Sequence, residues 1–462
     1  MIILDGKYIE QNQPISNEVL KRCFEIHLSQ RRRLDKLYRY LDGEHEITKR
    51  KMQSSYAANN KLVCNHAEYI TDMAVGYVHG CPVQYSGKDG MADGINELFT
   101  DIDEDSHNAE LGSNISVYGY GLEYVYMSDE ASPRPQLASV DPRQSFLVCD
   151  ADISKSPLFG VTYGERVNLQ GAHEGYDVTV TTPWALYSYS LSGTTFDGFE
   201  LTEEMLNPFG DVNLIEYRNN SREKGDFEGV ISLIDAYNLL QSDRVNDKQQ
   251  LVDALLVISG LSLGDDDEEA GKTAKMIKEE RILELDGDGS DAKWLVKSLN
   301  ETETEVLKKA IKNDIHEFSK VPCLTDENFA NNASGVAMKY KLLGFEQLGR
   351  TKERYFKQGL RKRLQLIANV NAIKGQHLDT TRIDIIMKRS LPVDDELQAR
   401  IAQETDGFIS WETRVRRYDE EIDVDAERDR LQQDREEAAE LQRLAFGGYE
   451  NAPPVGDEGE EE

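Results

Sequence analysis

The stretch EGVISLIDAYNLLQSDRVNDKQQLVDALLV, Glu228–Val257, decides how the rest of this chain is interpreted. We predict a single helix here, about 45 Å long at 1.5 Å per residue. Its middle part, QSDRVNDKQQ, offers Val245 as its one apolar residue. A helix that is polar on all sides must cross open space or face charged neighbours. The stretch therefore predicts a helix that depends on polar partners.

A second helix is predicted to lead back along the first. Asn300 and Glu303 have the spacing of a capping box, in which the two side chains bind free backbone N–H groups at a helix start. Apolar residues then follow at helical spacing: Leu307, Ile311, Ile315 and Phe318. Between the two helices lie an acidic turn, a short predicted helix (EEAGKTAKMIKEE) and two strand-like runs (RILEL and AKWLV). This α/β lobe is too small to be stable alone, so the pattern describes a stalk with a tip.

An Asn/Gly/Ser-rich loop, ENFANNASG, follows the stalk and precedes a predicted helix from about Ser334 to Asn371. Its apolar side chains share one face: Leu342, Phe345, Leu348, Phe356, Leu360, Leu364 and Ile367. A neighbouring stripe is cationic: Arg350, Arg354, Lys357 and Arg361. The stripe either faces DNA or an acidic subunit, or it is a solvated face. The pairs Glu346–Arg350 and Glu353–Lys357 at i,i+4 favour the solvated face, and the acidity of the whole chain favours an acidic partner.

The N-terminal half predicts helices followed by a sheet. Ser16 or Asn17 caps a first helix that ends near Gly43, and its basic patch RRRLDK is either a nucleic-acid contact or a solvated face. A second helix is predicted in NKLVCNHAEYITDMAVGYVHG, and a third from Gly94 to about Val117. Short β-branched and aromatic runs then predict antiparallel strands of one sheet domain, from Gly121 to about Asn219: LEYVYM, QLASV, SFLVC, LFGVTY, YDVTVTT and ALYSYS.

The C-terminal part predicts one strand, RIDIIMKRSLP, and then polar helices through DELQARIAQE, ISWETRVRRYDEEI and ERDRLQQDREEAAELQRL. The final GGYENAPPVGDEGEEE is rich in Gly, Pro and acid and is expected to be disordered.

Composition narrows the classes of function. The chain has 462 residues, 39% hydrophobic and 30% charged, with a net charge of −32. A surface this acidic repels nucleic acid, so a tight DNA binder is disfavoured, whereas a protein that lets DNA pass without sticking is compatible with it. No run of about 18 apolar residues and no secretory signal is seen, so we expect no membrane contact. Five scattered cysteines without a C-x-x-C motif indicate synthesis in a reducing cytoplasm.

Motifs for catalysis, metal binding and cofactor binding fail when tested. GDDDEEAGKT has Asp266 where a phosphate-binding loop needs its first glycine, and its preceding acids would repel phosphate. DGDGSDAKWLVK departs from a calcium loop at Asp291 and Lys297. GYGLEY lacks the third glycine of a dinucleotide site. No pair of histidines or cysteines has metal-ligand spacing, so we expect no catalytic residue, no metal and no cofactor.

Three stretches together resemble the portal proteins of tailed bacteriophages, specifically the SPP1-like portal family. They are NKLVCNHAEYITDMAVGYVHGCPVQY, LIDAYNLLQSDRVND and NASGVAMKYKLLGFEQLGRTKERYFKQGLRKRL. The resemblance extends from about Asn17 to Glu412. It implies an α+β subunit of a homo-oligomeric ring, commonly of twelve copies, at one vertex of the phage head. Such a ring is not an enzyme: a separate terminase ATPase pumps double-stranded DNA through it, and the DNA later leaves by the same tunnel.

The resemblance also implies an assignment of domains and partners. The expected ranges are 1–227 for the wing, 228–258 for the first stem helix, 259–299 for the clip, 300–320 for the second stem helix, 321–335 for the tunnel loop, 336–391 for the long helix and the return strand of the wing, 392–445 for the crown and 446–462 for a disordered acidic tail. The expected partners are the terminase large subunit, head-completion or adaptor proteins, and the major capsid and scaffold proteins.

The tunnel loop explains the composition of ENFANNASG. Small polar side chains contact a sliding phosphate backbone by hydrogen bonds without fixing it through a cation: Asn328, Asn331, Asn332 and Ser334. Gly335 supplies conformational freedom. Lys320, just before the loop, is either a transient DNA contact or a charge that complements the end of the preceding helix.

The clip and the tail depart most from the family pattern. Clip residues expected to face terminase or an adaptor are Lys272, Lys275, Lys278 and Trp294. The acidic tail is not part of the matching pattern. Two other interpretations remain: a shorter type of head–tail connector or another ring-forming virion protein, and a nucleic-acid-processing enzyme. The stalk argues against the connector, and the failed motifs argue against the enzyme.

Overall fold

The computed structural model describes residues 1–52, 58–87, 90–193, 195–252, 255–259, 291–295, 301–324, 335–390, 400, 403–404, 408–418, 422 and 424–446. The chain forms two compact units, which are described separately. The first comprises Met1–Val78 and Ile102–Leu378, and the second comprises His79–Asp101 and Asp379–Glu462.

The helices of the described residues are α1 (Asn17–Leu41), α2 (His66–His79), α3 (Asp93–Asp101), α4 (Glu104–Tyr118), α5 (Ile231–Val252), α6 (Glu301–Ser319), α7 (Gly335–Ile373), α8 (Trp411–Tyr418) and α9 (Val424–Phe446). The strands are β1 (Ile2–Leu4), β2 (Gln84–Ser86), β3 (Tyr120–Met127), β4 (Pro135–Val140), β5 (Ser145–Asp150), β6 (Pro157–Val167), β7 (His173–Thr181), β8 (Ala185–Ser192), β9 (Glu200–Leu206), β10 (Leu214–Arg218), β11 (Leu255–Ser259), β12 (Asp291–Leu295) and β13 (Asp384–Ile386). The predicted α+β class is confirmed.

A six-stranded sheet in the order β1-β5-β6-β7-β8-β9 carries the main core of the first unit. It is antiparallel except at β1, which pairs with β5 in parallel. Helix α1 begins at the predicted cap, where Ser16 Oγ accepts the N–H of Val19. Its Phe24 ring packs edge-on against Phe146 and Tyr163 of the sheet, with 5.2 Å between the ring centroids in both pairs. Because α1 alternates its buried and exposed positions with helical period, one face of it closes one face of the sheet.

A second sheet, in the order β10-β3-β4, corrects the prediction of one sheet domain. The strand β10 follows β4–β9 in the sequence but pairs with β3, from Leu214 opposite Tyr124 to Arg218 opposite Tyr120. Strand propensity gives no information on such long-range pairing. The sequence also missed β9, in which all seven residues are exposed, so that it lacks the alternation of a half-buried strand.

The first of the two predicted stalk helices is shorter than predicted at its C-terminal end. Helix α5 ends at Val252, and the following residues Leu255–Ser259 form β11, so the prediction of helix to Val257 is wrong there. Strand β12 pairs antiparallel with β11, and it confirms strand in the run AKWLV. The capping position Asn300, the run RILEL and the helix predicted in EEAGKTAKMIKEE lie outside the described residues.

The polar middle of α5 finds its partners within the same chain. Ser242 Oγ accepts the N–H of Leu62, and Asn246 Oδ1 accepts the N–H of Asn60. On the side of α6, Arg244 binds Glu305 at 3.0 Å. Residues of the segments 45–52 and 58–64 therefore supply much of the polar environment that the sequence of α5 requires.

The basic patch of α1 is in part structural. The Arg33 guanidinium binds the Glu228 carboxylate at the approach to α5, and it also donates to the carbonyl oxygens of Tyr118 and Glu223. Neither interpretation of the patch foresaw this role, because the partner lies 195 residues away.

The second unit contains β2 and β13, which pair antiparallel from Gln84 opposite Ile386 to Ser86 opposite Asp384. Tyr85 packs its ring against Phe99 of α3. The predicted strand RIDIIMKRSLP is confirmed only at Asp384–Ile386, and a 3-10 turn at Thr380–Arg382 replaces its start. The helix predicted from Gly94 to Val117 is two helices, α3 and α4, because Asp103 adopts a left-handed conformation between them (φ +51°).

Candidate functional site

The segment Lys320–Leu324 leaves the end of α6 in a fixed conformation. Lys320 has φ +63°, a left-handed conformation. Directly after a helix, this conformation is usually adopted by glycine or asparagine. Val321 follows with no exposed surface, and its carbonyl oxygen accepts a hydrogen bond from His316 Nδ1 at 2.9 Å. Lys320 itself is exposed. The chain is therefore turned sharply and anchored before it reaches residue 325.

Tyr69 of α2 binds the same segment from the side. Its hydroxyl donates to the carbonyl oxygen of Pro322 at 3.1 Å and accepts the N–H of Leu324 at 3.0 Å. Its ring also lies edge-on to the His316 ring, with 5.5 Å between the centroids. One side chain of α2 thus engages both backbone polar groups that flank Cys323.

Tyr77, two turns further along α2, binds the first part of α7. Its ring stacks on Phe345 with 4.2 Å between the centroids, and its hydroxyl donates to the Glu346 carboxylate. Both rings are buried, Tyr77 at 4% and Phe345 at 3% exposure. Glu346 also accepts a hydrogen bond from Arg350 at 2.7 Å.

The remainder of α7 is held by buried charge. The Arg363 side chain has no exposed surface and binds Glu123 through two hydrogen bonds (3.0 and 2.5 Å), Asn108 at 2.9 Å, and Glu104. Tyr217 adds a hydrogen bond of 2.8 Å to Glu123. A buried arginine with this many partners has its charge and its donors compensated.

Glu123 is ionised in this cluster. Burial alone raises the pKa of its carboxyl, but the Arg363 charge and the hydrogen bonds from His107 and Arg363 outweigh burial and lower the pKa to about 2. The carboxylate and the guanidinium therefore form a charged pair throughout the ordinary pH range.

Two further ion pairs fix α7 to the rest of the first unit. Lys352, 4% exposed, contacts Asp226 at 2.5 Å, and Asp226 also accepts a hydrogen bond from Ser116 at 2.6 Å. Lys362 pairs with Asp211. The part of α7 after Lys352 is thus bound at three charged points along the helix.

The cationic stripe of α7 is exposed or half-exposed. Arg350 is 66% exposed and pairs with Glu346, and Lys357 is 31% exposed and pairs with Glu353 at 2.6 Å. Arg354 and Arg361 are exposed. Both predicted i,i+4 pairs are therefore formed. This geometry is that of a solvated face, and it leaves the side chains open to an acidic partner or to DNA.

The remaining predicted site residues are placed only in part. Gly335 is the first residue of α7, and Trp294 lies on β12 opposite Leu256. The others fall outside the described residues: Lys272, Lys275, Lys278, Asn328, Asn331, Asn332 and Ser334.

Among the described residues, no group of three or more His, Cys, Asp or Glu side chains is arranged to hold a metal ion. Within the same residues, no helix is both long and apolar enough to span a bilayer.

Sequence reasoning missed the two tyrosines of α2 and the buried charges of α7. Tyr69 and Tyr77 lie eight residues apart in a helix, but their partners lie more than 250 residues away. Arg363 belongs to the basic run RKR, and nothing local distinguishes it from its exposed neighbour Arg361.

A family model described as "Phage portal protein, SPP1 Gp6-like" matches residues 20–441. The chain belongs to this family of phage portal proteins. It is therefore a structural protein of the virion, at the portal vertex of the phage head, and the predicted family and its place in the virion are confirmed.

Curated relatives agree with this assignment at low sequence identity. The portal protein of Bacillus phage SPP1 is 22% identical over 434 residues, covering 87% of this chain and 84% of that protein. The portal protein of Clostridium phage phiCD119 is 21% identical over 376 residues, covering 78% and 82%. Among solved structures, the neck of a native gene transfer agent particle, computed with C12 symmetry, has 13% identity and a TM-score of 0.41 over 75% of this chain and 88% of that one.

Proposed function

We propose that this portal protein forms a closed ring, of about twelve subunits as is common in the family, through which double-stranded DNA enters and leaves the head. The observation that carries the proposal is the family match over residues 20–441, together with helix α6, on which three large apolar side chains are exposed. In this proposal the terminase large subunit pumps the DNA, and the ring itself performs no catalysis.

The outward side of α6 favours contact with a second copy. Val306 is 64% exposed, Leu307 51% and Phe318 67%, whereas Ile315 on the same helix is fully buried. The predicted apolar stripe of α6 thus divides, and only part of it packs within the subunit. Exposed apolar side chains grouped on one helix favour burial in an interface. Burying Phe318 and Leu307 in each subunit contact stabilises it by about 1–2 kcal/mol per side chain.

Residues 321–335 are proposed as the tunnel loop, with Lys320, Asn328, Asn331, Asn332, Ser334 and Gly335 nearest the DNA. The charge of −32 supports passage without tight binding, because like charge on a tunnel wall repels the phosphate backbone evenly. Lys320 sits directly after α6, where its charge complements the helix C-terminus.

The proposed outer contacts follow the domain assignment. The clip, residues 259–299, faces the terminase and, after packaging, the head-completion or adaptor proteins, with Lys272, Lys275, Lys278 and Trp294 as the proposed contacts. The wing faces the major capsid and scaffold proteins. The cationic stripe Arg350, Arg354, Lys357 and Arg361 is proposed as a contact with an acidic neighbouring subunit, because each of its side chains is at least partly exposed.

The experiment is negative-stain electron microscopy and native mass spectrometry of the wild type, Phe318→Ser, and Leu307→Ser. We expect closed rings with a central channel for the wild type and a shift to free subunits for both variants. Leu169→Ser is the matched control, because Leu169 is fully exposed on the β6–β7 connection of the wing. Rings should persist in this control. A stable wild-type monomer in every condition would contradict the ring, and intact rings in both α6 variants would contradict this interface.

A further inference from the structure

Helix α2 contacts the chain on both sides of residues 325–334. On the side of α6, the Tyr69 hydroxyl holds Pro322 and Leu324 by two hydrogen bonds of 3.1 and 3.0 Å. On the side of α7, Tyr77 stacks on Phe345 and donates to Glu346. The two tyrosines lie eight residues apart, which is about 12 Å along a helix. A single rigid element therefore binds the chain before and after this segment.

Helix α2 is itself firmly seated in the first unit. Ala67, Ile70 and Ala74 on its inner face have no exposed surface. At its start, the Asn65 side chain donates to the carbonyl oxygen of Leu41 at 2.8 Å, and the N–H of Cys64 donates to Asn238 of α5 at 2.8 Å. These contacts fix α2 to α1 and α5. Tyr69 and Tyr77 therefore position the backbone and side chains that they bind relative to the rest of the first unit.

We propose that α2 is a bracket that fixes the separation between the two ends of residues 325–334, with Tyr69 and Tyr77 as its positioning residues. This role rests on the proposed function of the segment as a tunnel loop. A chain segment whose ends are both fixed samples a smaller volume than one whose ends move. In a ring, the same contacts of Tyr69 and Tyr77 would recur in every subunit.

Loss of the bracket should change the chain beside residues 325–334, whereas loss of an ordinary packing contact would weaken the whole fold. Tyr69→Phe keeps the ring against His316 but removes the hydroxyl that Pro322 and Leu324 share. Tyr77→Phe keeps the stacking on Phe345 but removes the hydrogen bond to Glu346. Each variant thus releases one end of the segment while it preserves the packing of α2. The effects should appear at the segment ends and not in the core.

The first test is amide hydrogen exchange on assembled rings. Tyr69→Phe should raise the exchange rate of the Leu324 amide about fivefold, the value of one net hydrogen bond of about 1 kcal/mol. Tyr77→Phe should raise exchange at Tyr340–Glu346 and leave Leu324 unchanged. Tyr163→Phe is the matched control: its hydroxyl also contacts two groups, the Arg143 carbonyl oxygen and His27, but in the wing. Unchanged exchange at both segment ends in the two α2 variants would overturn the bracket.

The second test is DNA packaging by proheads that carry these portal variants, with their cognate terminase. We expect Tyr69→Phe and Tyr77→Phe each to slow packaging several-fold, and the double variant to slow it further, while Tyr163→Phe packages at the wild-type rate. Equal slowing by all three variants would overturn the bracket, since general weakening of the fold would then explain it. Raised exchange with unchanged packaging would support the bracket and contradict the tunnel-loop function of residues 325–334.

Discussion

Buried charged side chains hold α7, the longest described helix, in place. The most deeply buried of them is Arg363. Its guanidinium contacts two carboxylates and an amide in a site from which water is excluded. Removing one member of such a cluster leaves the others buried and uncompensated, which costs more than the pair itself contributes.

Arg363→Met should lower the free energy of unfolding by about 3–5 kcal/mol at pH 7. The loss should shrink as pH falls from 7 toward 4. In the wild type the lowered pKa of Glu123 stabilises the folded state above the ordinary carboxyl pKa, and this contribution is lost as pH falls toward 2. In the variant, the Arg363 charge and its hydrogen bonds no longer oppose the effect of burial, so the Glu123 pKa rises and protonation relieves the folded state.

Denaturant unfolding at several pH values measures this effect. Arg350→Met is the control, because Arg350 is 66% exposed and pairs only with neighbours on its own helix face; we expect a change within about 0.5 kcal/mol. A constant loss for Arg363→Met across this pH range would show that the Glu123 charge is not the cause.

His27 gives the first unit a pH dependence of its own. Its side chain has no exposed surface, and burial lowers its pKa to about 4. In the unfolded chain His27 gains a proton near pH 6.5, whereas in the folded protein it does so only near pH 4. The free energy of unfolding therefore falls as pH decreases from 6.5 to 4, by up to about 1.4 kcal/mol per pH unit. His27→Gln should therefore flatten the decline of stability over this range. Exposed His377→Gln should leave the decline unchanged, and equal slopes for the wild type and His27→Gln would contradict the assignment.

At the scale of elements, local pattern predicted the helices well and the sheets poorly. The apolar face of α7 was predicted because it repeats with helical period, and Phe345, Phe356, Leu360, Leu364 and Ile367 are buried as that pattern requires. The division of the strands into two sheets was not predicted, because it depends on β10 pairing with β3, and strands β4–β9 separate these two in the sequence. The site behaved in the same way: the helices α6 and α7 were predicted, whereas the contacts of Tyr69 and Tyr77 depend on distant chain segments.

The observed start of α7 decides where a proline breaks this helix. A proline at Ala337 would lie in the first turn, where the backbone N–H groups have no helical acceptor, so it would not break the helix. Gly344→Pro, in the tenth position of α7, is the substitution that removes an internal hydrogen bond and impairs packaging if the loop assignment holds.

Two glycines of α7 should respond oppositely to alanine. A Cβ at Gly344 meets no atom within 4 Å, so Gly344→Ala should stabilise the protein by about 0.5–1 kcal/mol through the lower entropy of its unfolded chain. A Cβ at Gly359 would lie 2.2 Å from the Tyr217 ring, so Gly359→Ala should destabilise it by about 1–3 kcal/mol. Thermal unfolding of the two variants against the wild type measures both changes. Similar shifts in the same direction would contradict the close packing of α7 on β10.

At the scale of the whole molecule, assembly must overcome like charge. Every copy carries −32, and closing a ring brings these charges together. The screening length is about 30 Å at 0.01 M salt and about 8 Å at 0.15 M. The ring should therefore gain stability with salt, in contrast to complexes held by opposite charge.

Native mass spectrometry or mass photometry at 0.02 M and 0.3 M salt tests this expectation. We expect the fraction of rings to rise several-fold at the higher concentration for the same protein concentration. Neutral sucrose of equal osmolarity is the control for effects that are not electrostatic. A fall in the ring fraction with salt would indicate that attractive ion pairs dominate the subunit contact, and the cationic stripe of α7 would then be their first candidate.

The edge strand β9 has a consequence for the life of the subunit before it is built into a head. Its seven residues are all exposed, and Glu200, Glu203 and Glu204 place three negative charges along the open border of the largest sheet. The edge strand of a sheet can form hydrogen bonds with a strand of another molecule, and charged side chains on the edge strand oppose this pairing. We therefore expect that free subunits do not associate through this sheet border before assembly. The same carboxylates should make the protein tolerant of the high concentrations reached during overproduction.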